Sequence, residues 1–140
     1  MRRLFIANRG EIAVRINRAA HALGIETVQA VSAADEQSMA AALADHCVLI
    51  GPAPSKQSYL DSKLIVHAAK STDCDALHPG YGFLSERAAL ANLCQDNNIT
   101  FVGPDGDTIH ALGDKLQART LAAEAGVPLV SGTDTNAHSK

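Results

Sequence analysis

The residues of this chain best suited to ligand chemistry lie in the run HPGYGFLSE, residues 78–86. Pro79 fixes one φ angle, and the glycines on both sides of Tyr81 permit positive φ angles. The run follows an apolar β-type segment, at the end of a strand where open α/β sheets bind ligands. Ser85 is placed to cap the next helix. The pattern predicts a stiff loop that presents a tyrosine, or alternatively a tight crossover in which Tyr81 and Phe83 pack in the core.

A second candidate is the lysine of the run Gly113-Asp114-Lys115. Gly113 interrupts a helical pattern, Asp114 can cap the segment that follows, and Lys115 then falls in its first turn. A cation is unfavourable near a helix N-terminus unless an anion such as a phosphate also lies there. From the residues alone, Lys115 is either a solvated lysine or a phosphate ligand.

The strand-to-helix turn Asn8-Arg9-Gly10-Glu11 is the third candidate. Asn8 is a good N-cap residue, and Glu11 stands three places on, as in a capping box. A dinucleotide-binding turn needs the pattern G-x-G-x-x-G, and of its glycines this turn has Gly10 alone. Asp35 has the spacing of the acidic ribose ligand, but without the glycines the turn predicts a capped helix and not an NAD site.

The sequence predicts neither a metal site nor a catalytic residue in this segment. No second His, Cys or carboxylate stands near His78 at metal-ligand spacing, and the acidic residues are scattered. The net charge of −3 and the aromatic content of 4% argue against nucleic-acid and membrane partners. Three widely spaced cysteines, an odd count without a CxxC pair, favour reduced thiols and a cytoplasmic protein.

The elements that must position these residues alternate between strand and helix. Apolar β-type runs occupy Leu4–Asn8, Glu26–Ser32, Cys47–Gly51, Asp75–Pro79 and Thr100–Gly103. Helical patterns occupy Gly10–Leu23, Gln37–Ala44, Asp61–Ser71, Glu86–Asn97 and, broken at Gly113, Thr108–Ala125. Such alternation predicts βαβ crossovers, so the expected fold class is α/β, with an open, mainly parallel sheet and helices on both faces. We expect residues 1–130 to form the domain and the polar residues 131–140 a tail or the start of a linker.

The helix expected over Gly10–Leu23 has two distinct faces. One is an apolar stripe at helical spacing, formed by Ile12, Ile16, Ala19 and Leu23. The other face carries Glu11, Arg15, Arg18 and Ala22. Because Glu11 and Arg15 are four residues apart in the favourable order, they are expected to form an ion pair. The pattern predicts that the stripe packs on the sheet and that the charged face meets solvent or a partner.

Five segments of the chain, taken together, resemble the N-terminal domain of biotin carboxylase, the ATP-dependent part of acyl-CoA carboxylases. In chain order they read IANRGEIAVRI, ADHCVLIGPAPSKQSYL, HPGYGFLSE, FVGP and GDKLQARTLAAEAGVP. The resemblance covers about Leu4 to Gly132, nearly the whole chain, and five segments in register are far more specific than one. It implies a Rossmann-like, pre-ATP-grasp domain.

The resemblance also implies an activity with its cofactors and partners. In this family MgATP activates bicarbonate through carboxyphosphate, and CO₂ then passes to N1 of biotin on a carrier protein. The implied cofactors are ATP, Mg²⁺ with ligands outside this segment, and biotin. The implied partners are the remaining lobes of the same enzyme, the biotin carboxyl carrier, the carboxyltransferase and, in bacterial members, a second copy of the enzyme in a homodimer.

The family's functional residues carry over only where the motifs match. Lys115 matches the family's lysine that contacts ATP. The substrate loop matches Gly80, Tyr81, Gly82 and Phe83, and the tyrosine lies beside the biotin and bicarbonate site. In the helix that contributes to the homodimer, Arg15 and Arg18 match positions on the charged face. Ala22 stands where some relatives carry an acidic residue, so the same ion pairing is not expected.

The glycine-rich lid, the Mg²⁺-binding acids and the basic bicarbonate groups of the family do not match any run here. We therefore expect a domain cut from a longer enzyme, or a truncated product, that is inactive alone. Two alternatives remain open from the residues. One is the leading domain of a different ATP-grasp ligase, and the other is a non-catalytic α/β interaction module that uses the Arg15 and Arg18 face.

Overall fold

The fold is an open parallel sheet, as the sequence predicts. The computed structural model describes residues 1–130 of the chain. Its strands are β1 (Arg3–Ile6), β2 (Glu26–Val31), β3 (His46–Leu49), β4 (Ala76–His78) and β5 (Thr100–Phe101). All pairings are parallel, in the order β3-β2-β1-β4-β5. The expected Rossmann-like α/β class is therefore confirmed, whereas the division at residue 130 stays a prediction because residues 131–140 lie outside the described part.

Six α-helices connect or follow the strands of residues 1–130. They are α1 (Gly10–Ala22), α2 (Met39–Leu43), α3 (Ser62–Ser71), α4 (Ala88–Asp96), α5 (Gly106–Gly113) and α6 (Lys115–Glu124). The expected helix over Glu86–Asn97 begins two residues late, and its cap is Arg87 instead of Ser85. The break at Gly113 is confirmed, and Asp114 accepts the backbone N–H groups of Leu116 and Gln117 as a cap. No helix of residues 1–130 is long and apolar enough to cross a membrane.

Each face of the sheet has its own core. Alternate residues of β1 point to opposite faces, so Leu4 and Ile6 pack in one core and Phe5 in the other. The first core contains α1 and Ala40 of α2. The second, larger core contains α3, α4 and the buried Tyr59. Helices therefore cover both faces, which is why the central strands can be almost wholly buried.

The strand order reverses between β1 and β4. The chain proceeds from β1 outward to β2 and β3, and then returns to place β4 on the other side of β1. The crevice at the carboxyl ends of the two strands beside such a reversal is the usual ligand position in open α/β sheets. Asn8 follows β1 here, and His78 is the last residue of β4. Two of the candidate motifs therefore meet at this edge of the sheet.

The apolar stripe expected on α1 packs on the sheet only in part. The buried residues of α1 are Ala13, Ile16, Asn17 and Ala20. Of the stripe, Ile16 belongs to the core and Ile12 packs against it, whereas Leu23 is 76% exposed. The face that contacts the sheet is therefore centred on the small Ala13 and Ala20, and one edge of the stripe stays outside it.

Candidate functional site

The loop after β4 presents Tyr81 and buries its neighbours. Tyr81 is 68% exposed, whereas Pro79 and Leu84 are buried. The backbone has φ +70° at Gly80 and +65° at Gly82, as the motif predicts. Because a side chain is strained at such angles, these two positions favour glycine. The loop is therefore a shaped turn that places one aromatic ring outside the core.

Phe83 anchors the loop to the core. Its ring stacks on the ring of Tyr59 with a centroid separation of 5.2 Å and an interplanar angle of 3°. Phe83 adopts φ +45°, a conformation rare for a side-chain-bearing residue.

The Arg9 guanidinium lies 5.6 Å from the Phe83 ring centre and 5.8 Å from that of Tyr59. It also pairs with Asp35 at 3.7 Å. Sequence reasoning missed this role of Arg9, which has no local sequence signal.

Asn8 does not cap α1, which corrects the capping-box interpretation. The cap position is Arg9, and no side chain bonds to the helix start there. Asn8 is buried, and its side-chain nitrogen donates to the carbonyl oxygens of Pro79 at 2.7 Å and Tyr81 at 2.9 Å. Its oxygen accepts the N–H of Arg9 at 2.9 Å. The Asn8 amide stabilises the fold more by bonding to the loop than by capping a solvent-exposed helix end. A buried carbonyl, such as that of Pro79, costs free energy when it has no hydrogen-bond donor.

His78 shapes the same turn as a neutral imidazole. Its Nδ1 accepts the backbone N–H of Gly80 at 3.0 Å. Burial lowers the pKa of His78 below its ordinary value of 6.5, which keeps Nδ1 free to accept this bond at neutral pH. The histidine is therefore a structural acceptor beside the loop, and residues 1–130 contain no group of three or more His, Cys, Asp or Glu side chains that could hold a metal ion.

A groove of about 490 Å³ lies between α1 and the loop. Its wall along α1 includes Ile12, Arg15, Ile16, Ala19 and Leu23, and its other side includes His78, Tyr81 and Val102. The apolar stripe of α1, which is only partly covered by the core, thus forms a wall of a groove that also reaches the tyrosine loop. Arg15 and Arg18 are both exposed, and of the two arginines only Arg15 contributes to the lining. The expected Glu11–Arg15 ion pair is not formed within 4.0 Å.

Lys115 lies apart from this groove. It is the first residue of α6, directly after the Asp114 cap, and its side chain is exposed. Next to it, a second pocket is lined by residues of α4, the segment before it and α5, including Glu86, Arg87, His110 and Asp114. Tyr81 and the Asp114 cap beside Lys115 therefore line different pockets, and the second pocket begins at Glu86, where the HPGYGFLSE run ends.

Comparisons with known proteins agree on one family. A family model described as biotin carboxylase, N-terminal domain, matches residues 1–109. Biotin carboxylase 1 of Bacillus subtilis (strain 168) is 53% identical over 133 residues, which are 95% of this chain and 30% of the relative. The chloroplastic biotin carboxylase of Arabidopsis thaliana is 49% identical over 132 residues, 94% of this chain and 25% of the relative. This chain therefore spans less than a third of the length of these relatives.

A solved structure agrees with the sequence comparisons. The biotin carboxylase domain dimer of Hydrogenobacter thermophilus 2-oxoglutarate carboxylase, in complex with MgADP, ADP and bicarbonate, superposes with a TM-score of 0.89. It is 40% identical and covers 95% of this chain and 29% of that one. With the parallel sheet, the tyrosine loop and the Asp114–Lys115 helix start in place, the chain belongs to the family of biotin carboxylase N-terminal domains.

Proposed function

We propose that this chain acts as the N-terminal domain of an ATP-dependent biotin carboxylase. The enzyme uses MgATP to activate bicarbonate and transfers the carboxyl group to biotin on a carrier protein, the first half-reaction of an acyl-CoA carboxylase. The observation that carries the proposal is the family match over residues 1–109. The domain's own contribution is to present Lys115 to the nucleotide and the Tyr81 loop to the biotin and bicarbonate site.

Lys115 is proposed to bind a phosphate of ATP. Its ammonium stands at the N-terminus of α6, where backbone N–H groups and the helix dipole favour an anion. Asp114 occupies two of those N–H groups, and the exposed lysine adds a point charge beyond them. An exposed cation at this helix end is unfavourable by itself, and a bound phosphate would convert it into a favourable pair.

The tyrosine loop is proposed to contact biotin and bicarbonate. In this loop, the exposed Tyr81 ring is the side chain available to a ligand. Gly80 and Gly82 carry no side chain, so a ligand can approach the loop backbone at these positions. Phe83 contributes as the anchor that stacks on Tyr59. No catalytic acid or base is assigned to this domain, and we propose that other lobes of the enzyme supply the Mg²⁺ ligands.

We also propose that the outer face of α1 forms part of a homodimer interface. Arg15 and Arg18 are exposed on it, and the adjacent apolar stripe supplies surface that a partner can bury. The structural relative from Hydrogenobacter thermophilus is described as a dimer of biotin carboxylase domains, which supports this assignment. The biotin carboxyl carrier and the carboxyltransferase are the further proposed partners. Three free cysteines support a reducing compartment, the cytoplasm.

A hybrid enzyme tests the proposed nucleotide contact. In it, this chain replaces the matching segment of Biotin carboxylase 1 of Bacillus subtilis. We expect Lys115→Ala to raise the KM for ATP about tenfold or more, the loss of roughly one charge-assisted phosphate contact. The matched control is Lys63→Ala, an exposed lysine in the first turn of α3. An unchanged KM for ATP in the Lys115→Ala hybrid would show that Lys115 does not contact the nucleotide.

A further inference from the structure

Asn8 is the buried group in closest contact with the tyrosine loop. It is 2% exposed, and its side-chain nitrogen donates to the carbonyls of Pro79 and Tyr81, at 2.7 and 2.9 Å. These carbonyls flank Gly80, whose φ of +70° turns them toward one amide. We propose that Asn8 is the positioning residue of the loop, and that its amide clamps the backbone so that Tyr81 is held exposed toward the groove. The consequence for biotin binding rests on the proposed function, whereas the clamp itself does not.

A second buried amide, that of Gln29, hydrogen-bonds to the backbone of Asn8 and restrains its position. Gln29 of β2 donates to the backbone oxygen of Asn8 at 2.6 Å and to that of Ala30 at 2.7 Å. Its oxygen accepts from Asn17 of α1 at 3.2 Å. Both Gln29 and Asn17 are fully buried. Three buried amides therefore form a connected chain from α1 through β2 to the loop. The Oδ1 atom of Asn17, at the far end, has no partner in the described residues, so the restraint on the loop comes from the bonds of Gln29 and Asn8, which are costly to break.

Close packing gives a second reason to assign the clamp to Asn8. A Cβ atom added to Gly80 would lie 2.6 Å from the Asn8 side-chain nitrogen and 2.8 Å from Cγ2 of Ile12. Real Cβ atoms do not approach so closely, so the loop rests directly on the amide and on α1. The glycine at this position is needed for contact with Asn8 as well as for its φ angle.

Limited proteolysis of this chain tests the clamp without reference to activity. Chymotrypsin cuts after Tyr81 only when the loop backbone opens, and the cleavage rate then follows the population of the open form. We expect Asn8→Ala and the isosteric Asn8→Asp to raise the rate of cleavage between Tyr81 and Gly82 about tenfold or more, because two hydrogen bonds to buried carbonyls are lost. The control is Thr27→Val, which removes a buried hydroxyl bonded to Asp45 away from the loop. Rates in both Asn8 variants equal to that of Thr27→Val would overturn the proposal.

Gly80→Ala covers the case in which the Asn8 variants fail to fold, and a double-substitution cycle adds a further test where Asn8→Ala does fold. Gly80→Ala alone presses a methyl group on the Asn8 amide, and we expect it to increase cleavage at Tyr81 as well. In an Asn8→Ala background part of that clash is gone, so the added effect of Gly80→Ala should be at least several-fold smaller. A Gly80→Ala chain that is cleaved at the native rate would overturn the proposal, as would strictly additive effects in a folded pair.

Kinetics of the hybrid enzyme test the positioning role. We expect Asn8→Ala to raise the KM for biotin at least about fivefold with the KM for ATP unchanged, because the side-chain bonds of Asn8 go to the tyrosine loop and to Arg9. Thr27→Val should change neither constant. If the hybrid has no carboxylase activity but Asn8→Ala opens the loop, the proposed function fails and the clamp stands. If the hybrid is active and the loop opens without any change in the KM for biotin, the positioning role is overturned.

Discussion

At the residue scale, the shape of the tyrosine loop depends on hydrogen bonds made by two uncharged side chains, Asn8 and His78. His78 accepts the Gly80 N–H through Nδ1, and the Asn8 amide holds the carbonyls on both sides of the same glycine. Protonation of the imidazole would convert this acceptor into a donor facing another donor. Burial lowers the pKa of His78, which is the direction that protects the bond.

This arrangement gives stability a pH dependence of known sign. Because the pKa of His78 is lowered on folding, its contribution is fully present above the ordinary value of 6.5 and is lost as the pH falls below that value. We expect the free energy of unfolding, measured with urea, to decrease between pH 7 and pH 5. His78→Gln should make this decrease smaller.

The matched control for His78→Gln is the same substitution at a histidine outside the loop, the exposed His67 of α3. We expect His78→Gln to reduce the pH dependence of stability more than His67→Gln does. Equal slopes for the His78→Gln and native chains would show that the imidazole does not stabilise the fold through its neutral form.

The backbone angles and hydrogen bonds of the tyrosine loop can be predicted only in part from the sequence. The positive φ angles of Gly80 and Gly82 follow from the motif, since few other residues adopt them. The role of Asn8 cannot be predicted from the motif, because its hydrogen-bond partners are 71 and 73 residues away in the sequence. A local capping box accounts equally well for the residues Asn8 and Glu11. A weak signal for Gln29 is its place between the apolar Val28 and Ala30 in a β-type run, which is typical of a buried, hydrogen-bonded amide.

At the element scale, α1 contributes to two surfaces. Ala13, Ile16 and Ala20 pack in the core, whereas the exposed Ala19 and Leu23 lie only along the groove. Helical periodicity detects an apolar stripe but does not say which surface covers it. The predicted stripe is therefore a core face only in part, because the contact with the sheet is centred on Ala13 and Ala20.

The charged face of α1 gives the test of assembly. In the hybrid enzyme, we expect Arg18→Glu to shift a dimer toward monomer, with the apparent dissociation constant raised about tenfold or more by charge reversal at an interface. Sedimentation velocity over a concentration series measures it. Lys63→Glu reverses an exposed charge on α3 and should leave the dimer intact. A dimer of unchanged affinity in the Arg18→Glu enzyme would place the interface elsewhere.

At the scale of the whole molecule, topology explains why the candidate groups lie where they do. The strand order reverses between β1 and β4, and at this edge the Asn8 side chain bonds to the tyrosine loop, beside the groove along α1. Alternating strands and helices were enough to predict this class of sheet from the sequence. The sequence alone could not predict which pockets the tyrosine loop and the Asp114 cap would line, because loop directions depend on tertiary packing.

The division of labour proposed here has a direct consequence for activity. In the proposed function the domain would provide a scaffold, a phosphate contact and a substrate loop, and it spans 30% of the Bacillus subtilis relative. Acidic Mg²⁺ ligands and a lid over the phosphates are required for phosphoryl chemistry, and we assign them to other lobes. The chain on its own is therefore expected to show no bicarbonate-stimulated ATP hydrolysis.

The most direct measurement of the central claim is the transfer of labelled bicarbonate to biotin by the hybrid enzyme. We expect label to enter biotin only when ATP, Mg²⁺ and the hybrid are all present, and the 140-residue chain alone to transfer none. A correctly folded hybrid that incorporates no label, or label incorporated by the isolated chain, would contradict the account.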